Sequence, residues 1–134
     1  PVIADFLLSY EARGSELPVR VTIRLGADGA YERLVFRGAN GGIPMGEDRL
    51  VGVIPAPELR AIIDDLVGKY DFFGMPEKGD ESRPVRMDMS TEYLTVTLNG
   101  RTHKVGGYDA RGCREFRGVF GYVDGLKAKV LVRP

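Results

Sequence analysis

One cysteine, Cys113, is all the chain carries. It can close no disulfide within the chain, and alone it cannot build a cysteine cage for a metal. A lone thiol fits a reducing compartment and equally a periplasmic protein that needs no covalent staple. A basic excess is also missing: 19 Lys and Arg balance 19 Asp and Glu. Phosphate neutralisation supplies much of the affinity of nucleic-acid binders, so this balance argues against a nucleic acid as partner. No run of about 18 apolar residues occurs, so no transmembrane segment is expected. The chain begins at Pro1 without a methionine, which fits a removed signal peptide and a trimmed chain alike.

What is present describes an ordinary globular domain. The 134 residues are 43% hydrophobic and 28% charged, enough for one core and too few for two, so a single α+β domain over 1–134 is expected. Phe6, Leu8 and Tyr10 alternate with Asp5, Leu7, Ser9 and Glu11 over 5–11. Val19, Val21, Ile23 and Leu25 alternate with Arg20, Thr22 and Arg24, the period of a half-buried strand. Asp28-Gly29 suits a tight hairpin turn into a return strand over 30–37. A glycine-rich loop over 38–46 follows, then a short strand over 50–54.

Pro57 opens a helix whose apolar stripe is Leu59, Ile62, Ile63, Leu66, Val67 and Tyr70. A polar loop over 76–84 leads to the alternation Val85, Met87, Met89, which predicts an inward-facing strand. The segments 93–98 and 101–105 flank Asn99-Gly100, the strongest short hairpin signal. From about Arg114 a last helix places Phe116, Val119, Phe120 and Val123 on one face. Gly118, Gly121 and Gly125 weaken it by about 1 kcal/mol each, so its glycine side either packs closely on the sheet or frays. The expectation is an antiparallel sheet of six or seven strands with two amphipathic helices on one face.

Several of these pieces together resemble a family of bacterial domains of unknown function, often carried by secreted proteins and lipoproteins. They are Asp28-Gly29-Ala30-Tyr31, the helix from Pro57-Glu58-Leu59 to Leu66, Tyr70-Asp71-Phe72-Phe73, and the loop residue Asp80. They continue with Tyr93 to Thr97 leading into Asn99-Gly100, then Val105 to Tyr108 and the closing helix. The resemblance implies the same architecture and an extracytoplasmic location, periplasmic or lipoprotein-anchored, and brings no catalytic residue. The chain departs from the family where many members carry a Gly/Cys/Pro cluster. Here that stretch is Arg13-Gly14-Ser15-Glu16-Leu17-Pro18.

A two-residue turn at Asp28-Gly29 would set Arg24 opposite Arg33 and Arg20 opposite Arg37. Like charges in cross-strand pairs repel, so acidic groups should lie near. Asp5 and Glu11 could make a solvated, ion-paired face. Otherwise Arg20, Arg24, Arg33 and Arg37 form an anion or acidic-partner site, since guanidinium forks match carboxylate and phosphate. The ion-paired face is favoured, because surface pairs are common and need no function.

His103, the one histidine, faces Val96 across the second hairpin on the side of Leu94, Leu98 and Val105, a position typical of a core histidine. Cys113 near a helix start has a dipole that can lower a thiol pKa. Cys113 and His103 with an acidic residue would make a thiol nucleophile only if they met. Glu77, Asp80, Glu81 and Asp88 lack the spacing of a calcium loop. Gly38-x-x-Gly41-Gly42 lacks the lysine and hydroxyl of a phosphate loop. No metal or cofactor is therefore expected.

Two functions follow from different classes. The first is a non-enzymatic binding module, using its sheet face or glycine-rich loop on a protein, a peptide or an anionic component of the cell envelope. The alternative is a small cysteine-dependent, hydrolase-like enzyme built on Cys113 and His103. The first is favoured, since no constellation satisfies the geometry of catalysis.

Overall fold

The computed structural model describes residues 5–14, 19–38, 44–79, 82, 84, 86, 87 and 89–132. Six antiparallel strands form one sheet: β1 (Phe6–Arg13), β2 (Val19–Gly26), β3 (Ala30–Gly38), β4 (Pro44–Val53), β5 (Thr91–Leu98) and β6 (Arg101–Tyr108). Helix α1 (Ala56–Asp64) separates β4 from β5, and α2 (Arg114–Gly125) follows β6. The order across the sheet is β4-β3-β2-β1-β5-β6, so the last hairpin docks on β1. This is the α+β fold expected, with six strands.

Alternation assigns the faces. Phe6, Leu8 and Tyr10 of β1, Ile23 and Leu25 of β2, and Leu94 and Val96 of β5 are buried under the helices. They share one core with Leu59, Ile62 and Leu66 and with Phe116, Val119, Phe120 and Val123. Phe120 meets the Tyr10 ring edge-on at 6.0 Å. Fully burying each large apolar side chain is worth about 1.5–3 kcal/mol, which is how two short helices hold to the sheet.

The two hairpins turn differently. Asn99 and Gly100 both take positive φ, 49° and 82°, the two-residue turn that pairs Leu98 with Arg101. At the first hairpin only Gly29 does so, with φ 83°, and the loop has three residues, so Leu25 pairs with Tyr31. A Cβ on Gly29 would fall 2.3 Å from the Ile54 carbonyl oxygen, whose residue donates its N–H to Gly29 O at 2.8 Å. Glycine is therefore required there twice over.

The extra loop residue corrects the expected register. Because strand faces alternate with period two, a shift of one residue exchanges them. Arg24 lies opposite Glu32 and Arg20 opposite Phe36, so neither faces an arginine of β3; the arginine opposite Arg20 is Arg13 of β1. Tyr31 and Val35 of β3 point into the core instead of Leu34 and Phe36.

Four further expectations are corrected. The stripe of α1 loses Val67: a wider π-helical turn over Asp65–Lys69 rotates it outward, 44% exposed, while Tyr70 still packs partly buried against the core. Described residues 84, 86, 87, 89 and 90 lie in no strand, and Met87 is 82% exposed. Both edges of β5 are already taken by β1 and β6, which leaves that segment no ladder beside it. The strand expected at 50–54 starts earlier, at Pro44, drawn in by pairing with β3 through an irregularity at Arg37 and Gly38. The glycines of α2 neither pack on the sheet nor meet it: Gly118, Gly121 and Gly125 lie on the exposed side.

After α2 the chain returns to the far edge. Val53 and Leu131 exchange backbone hydrogen bonds at 3.0 and 2.9 Å. Gly52 makes room, since a Cβ there would sit 2.5 Å from Leu131 O.

Candidate functional site

The polar groups that alternation sends inward must find partners, and β5 shows how. Glu92 shares its face with Leu94 and Val96 and is only 5% exposed. Its carboxylate accepts the Tyr10 hydroxyl and the Arg111 Nε, the latter at 2.8 and 3.0 Å. Arg111 also donates to Tyr10 Oη at 3.2 Å and pairs with Asp124 of α2 at 2.7 Å. Burial, then the bond to Glu92, raises the Tyr10 pKa well above the usual phenol value. Burial acts against the Arg111 charge, but its bonds to Glu92 and Tyr10 outweigh that and hold it protonated. Every member of this network is engaged, so it ties α2 and the turn before it to the sheet.

A second buried acid lies past the end of β6. Asp109, 2% exposed and in left-handed backbone at φ 53°, receives Arg86 in a bidentate pair at 2.8 and 2.6 Å. The Tyr108 hydroxyl donates to Arg86 O at 2.5 Å and accepts Met89 N at 3.2 Å. Earlier on β6, Gly106 donates its N–H to Glu77 O at 3.0 Å, fastening the segment after α1 to the outer edge of β6. A side chain at Gly106 would strike Glu92 O at 2.1 Å.

Between that segment and β6 opens a cleft of about 670 Å³. Ala110, Cys113 and Phe116, all buried, form its apolar floor; Tyr93 and Tyr108, both half-exposed, stand beside it. Glu77, Lys78, Lys104 and the Arg86–Asp109 pair supply the charge. The Lys104 ammonium lies over the Tyr93 ring, 4.4 Å from its centre, an attraction that leaves the cation facing solvent.

The sequence-selected residues are divided among these places. Cys113 sits at the start of α2, buried on the cleft floor, and a Cβ on Gly79 would fall 2.0 Å from its sulfur. His103 lies on the helix-covered face of β6, opposite Val96 as expected. Its Nε2 is bonded to Met75 O at 2.7 Å, and its ring meets Phe72 and Phe73. No hydrogen bond joins Cys113 to His103, and His103 does not line the cleft.

The four arginines are not brought together. Arg20 and Arg24 face outward, whereas Arg33 and Arg37 share the other face. Arg20 pairs with Glu11 at 3.4 Å, and Arg37 with Asp48 at 2.6 Å. Asp5 instead receives the Gly100 N–H at 3.0 Å and braces the second turn. Arg20, Thr22, Leu34 and Phe36 border a smaller hollow of about 340 Å³ on the open face. Asp80, Glu81 and Asp88, and Gly41 and Gly42, lie outside the described residues. Among the described residues no group of three His, Cys, Asp or Glu side chains is placed to hold a metal, and no helix is long and apolar enough to cross a membrane.

Sequence inspection passed over Glu92, Asp109 and Arg111. For Glu92 the signal was there, since it falls two residues before Leu94 on an inward-facing strand. Asp109 and Arg111 lie beyond the strand, in turns whose geometry no periodicity carries. No family model, no curated protein and no solved structure matches the chain.

Proposed function

We propose that the protein is a non-enzymatic binding module whose ligand seat is the cleft beside β6. The observation that carries this is the cleft itself: about 670 Å³ over an apolar floor of Ala110, Cys113 and Phe116, with charged side chains at the rim. Small-molecule sites commonly combine such a volume and apolar lining with a few polar groups. A thiol nucleophile would need a base within about 3–4 Å of Cys113. His103 is turned toward Met75 O, which favours binding over hydrolysis. The resemblance to secreted bacterial domains supports a cell-envelope setting.

The test is an NMR titration with anilinonaphthalene sulfonate, an aromatic anion that reports apolar seats. Amide signals of Lys104, Ala110 and Cys113 should shift together and saturably. Shifts confined to Leu34 and Phe36, or none, would remove the cleft as the seat.

A further inference from the structure

The charges of the cleft are not all spent within the protein. Arg86 and Asp109 neutralise each other in their bidentate pair, and Lys78, also on the lining, is engaged within the protein. Lys104 has the Tyr93 ring but, among the described residues, no carboxylate. The Glu77 carboxylate likewise has no cationic partner there. Glu77 O is bonded to Gly106 N, and Gly106 lies two residues beyond Lys104 on the same face of β6. The two backbone attachments are thus roughly 7 Å apart along the strand. Opposite charges carried on neighbouring backbone sites, both lining one cleft and not paired with each other, form a dipolar rim above an apolar floor.

Resting on the proposal that the cleft is a ligand seat, we infer that its ligand is a short peptide with free termini and an apolar side chain. Its ammonium would meet Glu77, its carboxylate Lys104, and the side chain would enter toward Phe116. A simple anion would satisfy Lys104 but face Glu77; a simple cation would do the reverse. An extended peptide advances at most about 3.3–3.6 Å per residue, so two or three residues cover the distance between the two backbone attachments. The cleft has the space of about twenty waters at roughly 30 Å³ each, which suits an organic ligand of that size better than a single ion.

The test uses alanyl-leucyl-alanine, its N-acetyl form, its C-terminal amide and the doubly blocked form, titrated by NMR against the intact chain. Blocking either end should weaken binding about fivefold, the scale of one partly exposed ion pair. In Lys104→Gln the amide and the free acid should bind alike; in Glu77→Gln the acetylated and free amine should bind alike. Both side chains are exposed, and circular dichroism will verify that the variants fold. Equal affinities for all four peptides, or end-block effects unchanged in the variants, would overturn the inference. If anilinonaphthalene sulfonate still shifts Ala110 and Cys113 in that case, the cleft remains a ligand seat and only the peptide class is wrong. If neither probe shifts them, both proposals fall.

Discussion

Tyr10 and Tyr31 point into the same core from one sheet, and both are nearly inaccessible at 3% and 1% exposure. Removing the hydroxyl from each should have opposite consequences. Tyr10 Oη donates to Glu92 and accepts from Arg111, so Tyr10→Phe deletes a hydrogen bond to a charged group, worth about 1.5–3 kcal/mol. Because Arg111 Nε still holds both Glu92 oxygens, the low end applies, about 1.5–2 kcal/mol. Tyr31 Oη is buried with no hydrogen-bond partner among the described residues. Its hydroxyl leaves water on folding and gains nothing, so Tyr31→Phe should be neutral or stabilising by up to about 1 kcal/mol. With a urea slope on the order of 2 kcal/mol per molar, the two midpoints should separate by roughly 1 M or more. Urea unfolding followed by circular dichroism reads this directly. Equal losses in both variants would refute the reasoning, as would a Tyr10→Phe protein as stable as the parent.

Two further outcomes are expected. Tyr10, Tyr31 and Tyr122 all have raised pKa values: burial leads in each, with the bond to Glu92 next at Tyr10 and the bond to Asp65 next at Tyr122. A raised folded pKa holds the proton in the native state, so stability is full below the ordinary phenol value near 10 and declines above it. Urea midpoints should be level near neutrality and fall as pH rises past about 10, with tyrosinate absorbance appearing as the chain unfolds. A midpoint unchanged to pH 11 or so would contradict this. Gly79→Ala would drive a methyl to 2.0 Å from Cys113 Sγ, an overpacking worth about 1–3 kcal/mol. The penalty should shrink in a Cys113→Ala background, since the nearest clashing atom is gone. A double-mutant cycle with no coupling would show that the two sites do not touch.

How far the sequence carried depended on whether a feature was local. Asn99-Gly100 determined its own register because both residues tolerate positive φ, so the expected pairing of Val96 with His103 holds. Asp28-Gly29 also serves a three-residue loop, and the choice is made by Gly29 against Ile54, a contact 25 residues away along the chain. That single ambiguity moved Arg33 and Arg37 to the face opposite Arg20 and Arg24. Buried residues of α2 were legible from spacing alone, whereas Val67 was misplaced by a wider turn that leaves no periodic trace. The cleft was not legible. Its floor comes from α2 and the turn before it and its rim from β6 and the segment near Glu77, which meet only through tertiary packing.

The bridge between Val53 and Leu131 bears on how the protein behaves in a crowd. An open strand edge is a template on which another copy can add. On β4 one end of that template is occupied by Leu131, and Glu47, Asp48 and Arg49 place three consecutive exposed charges along it. Removing residues 127–134 would uncover Val53 while sparing the buried face of α2. The shortened chain should retain its helices yet become prone to edge-to-edge aggregation as concentration rises. The C-terminal turn is thus a guard on solubility, set at the opposite end of the sheet from the cleft.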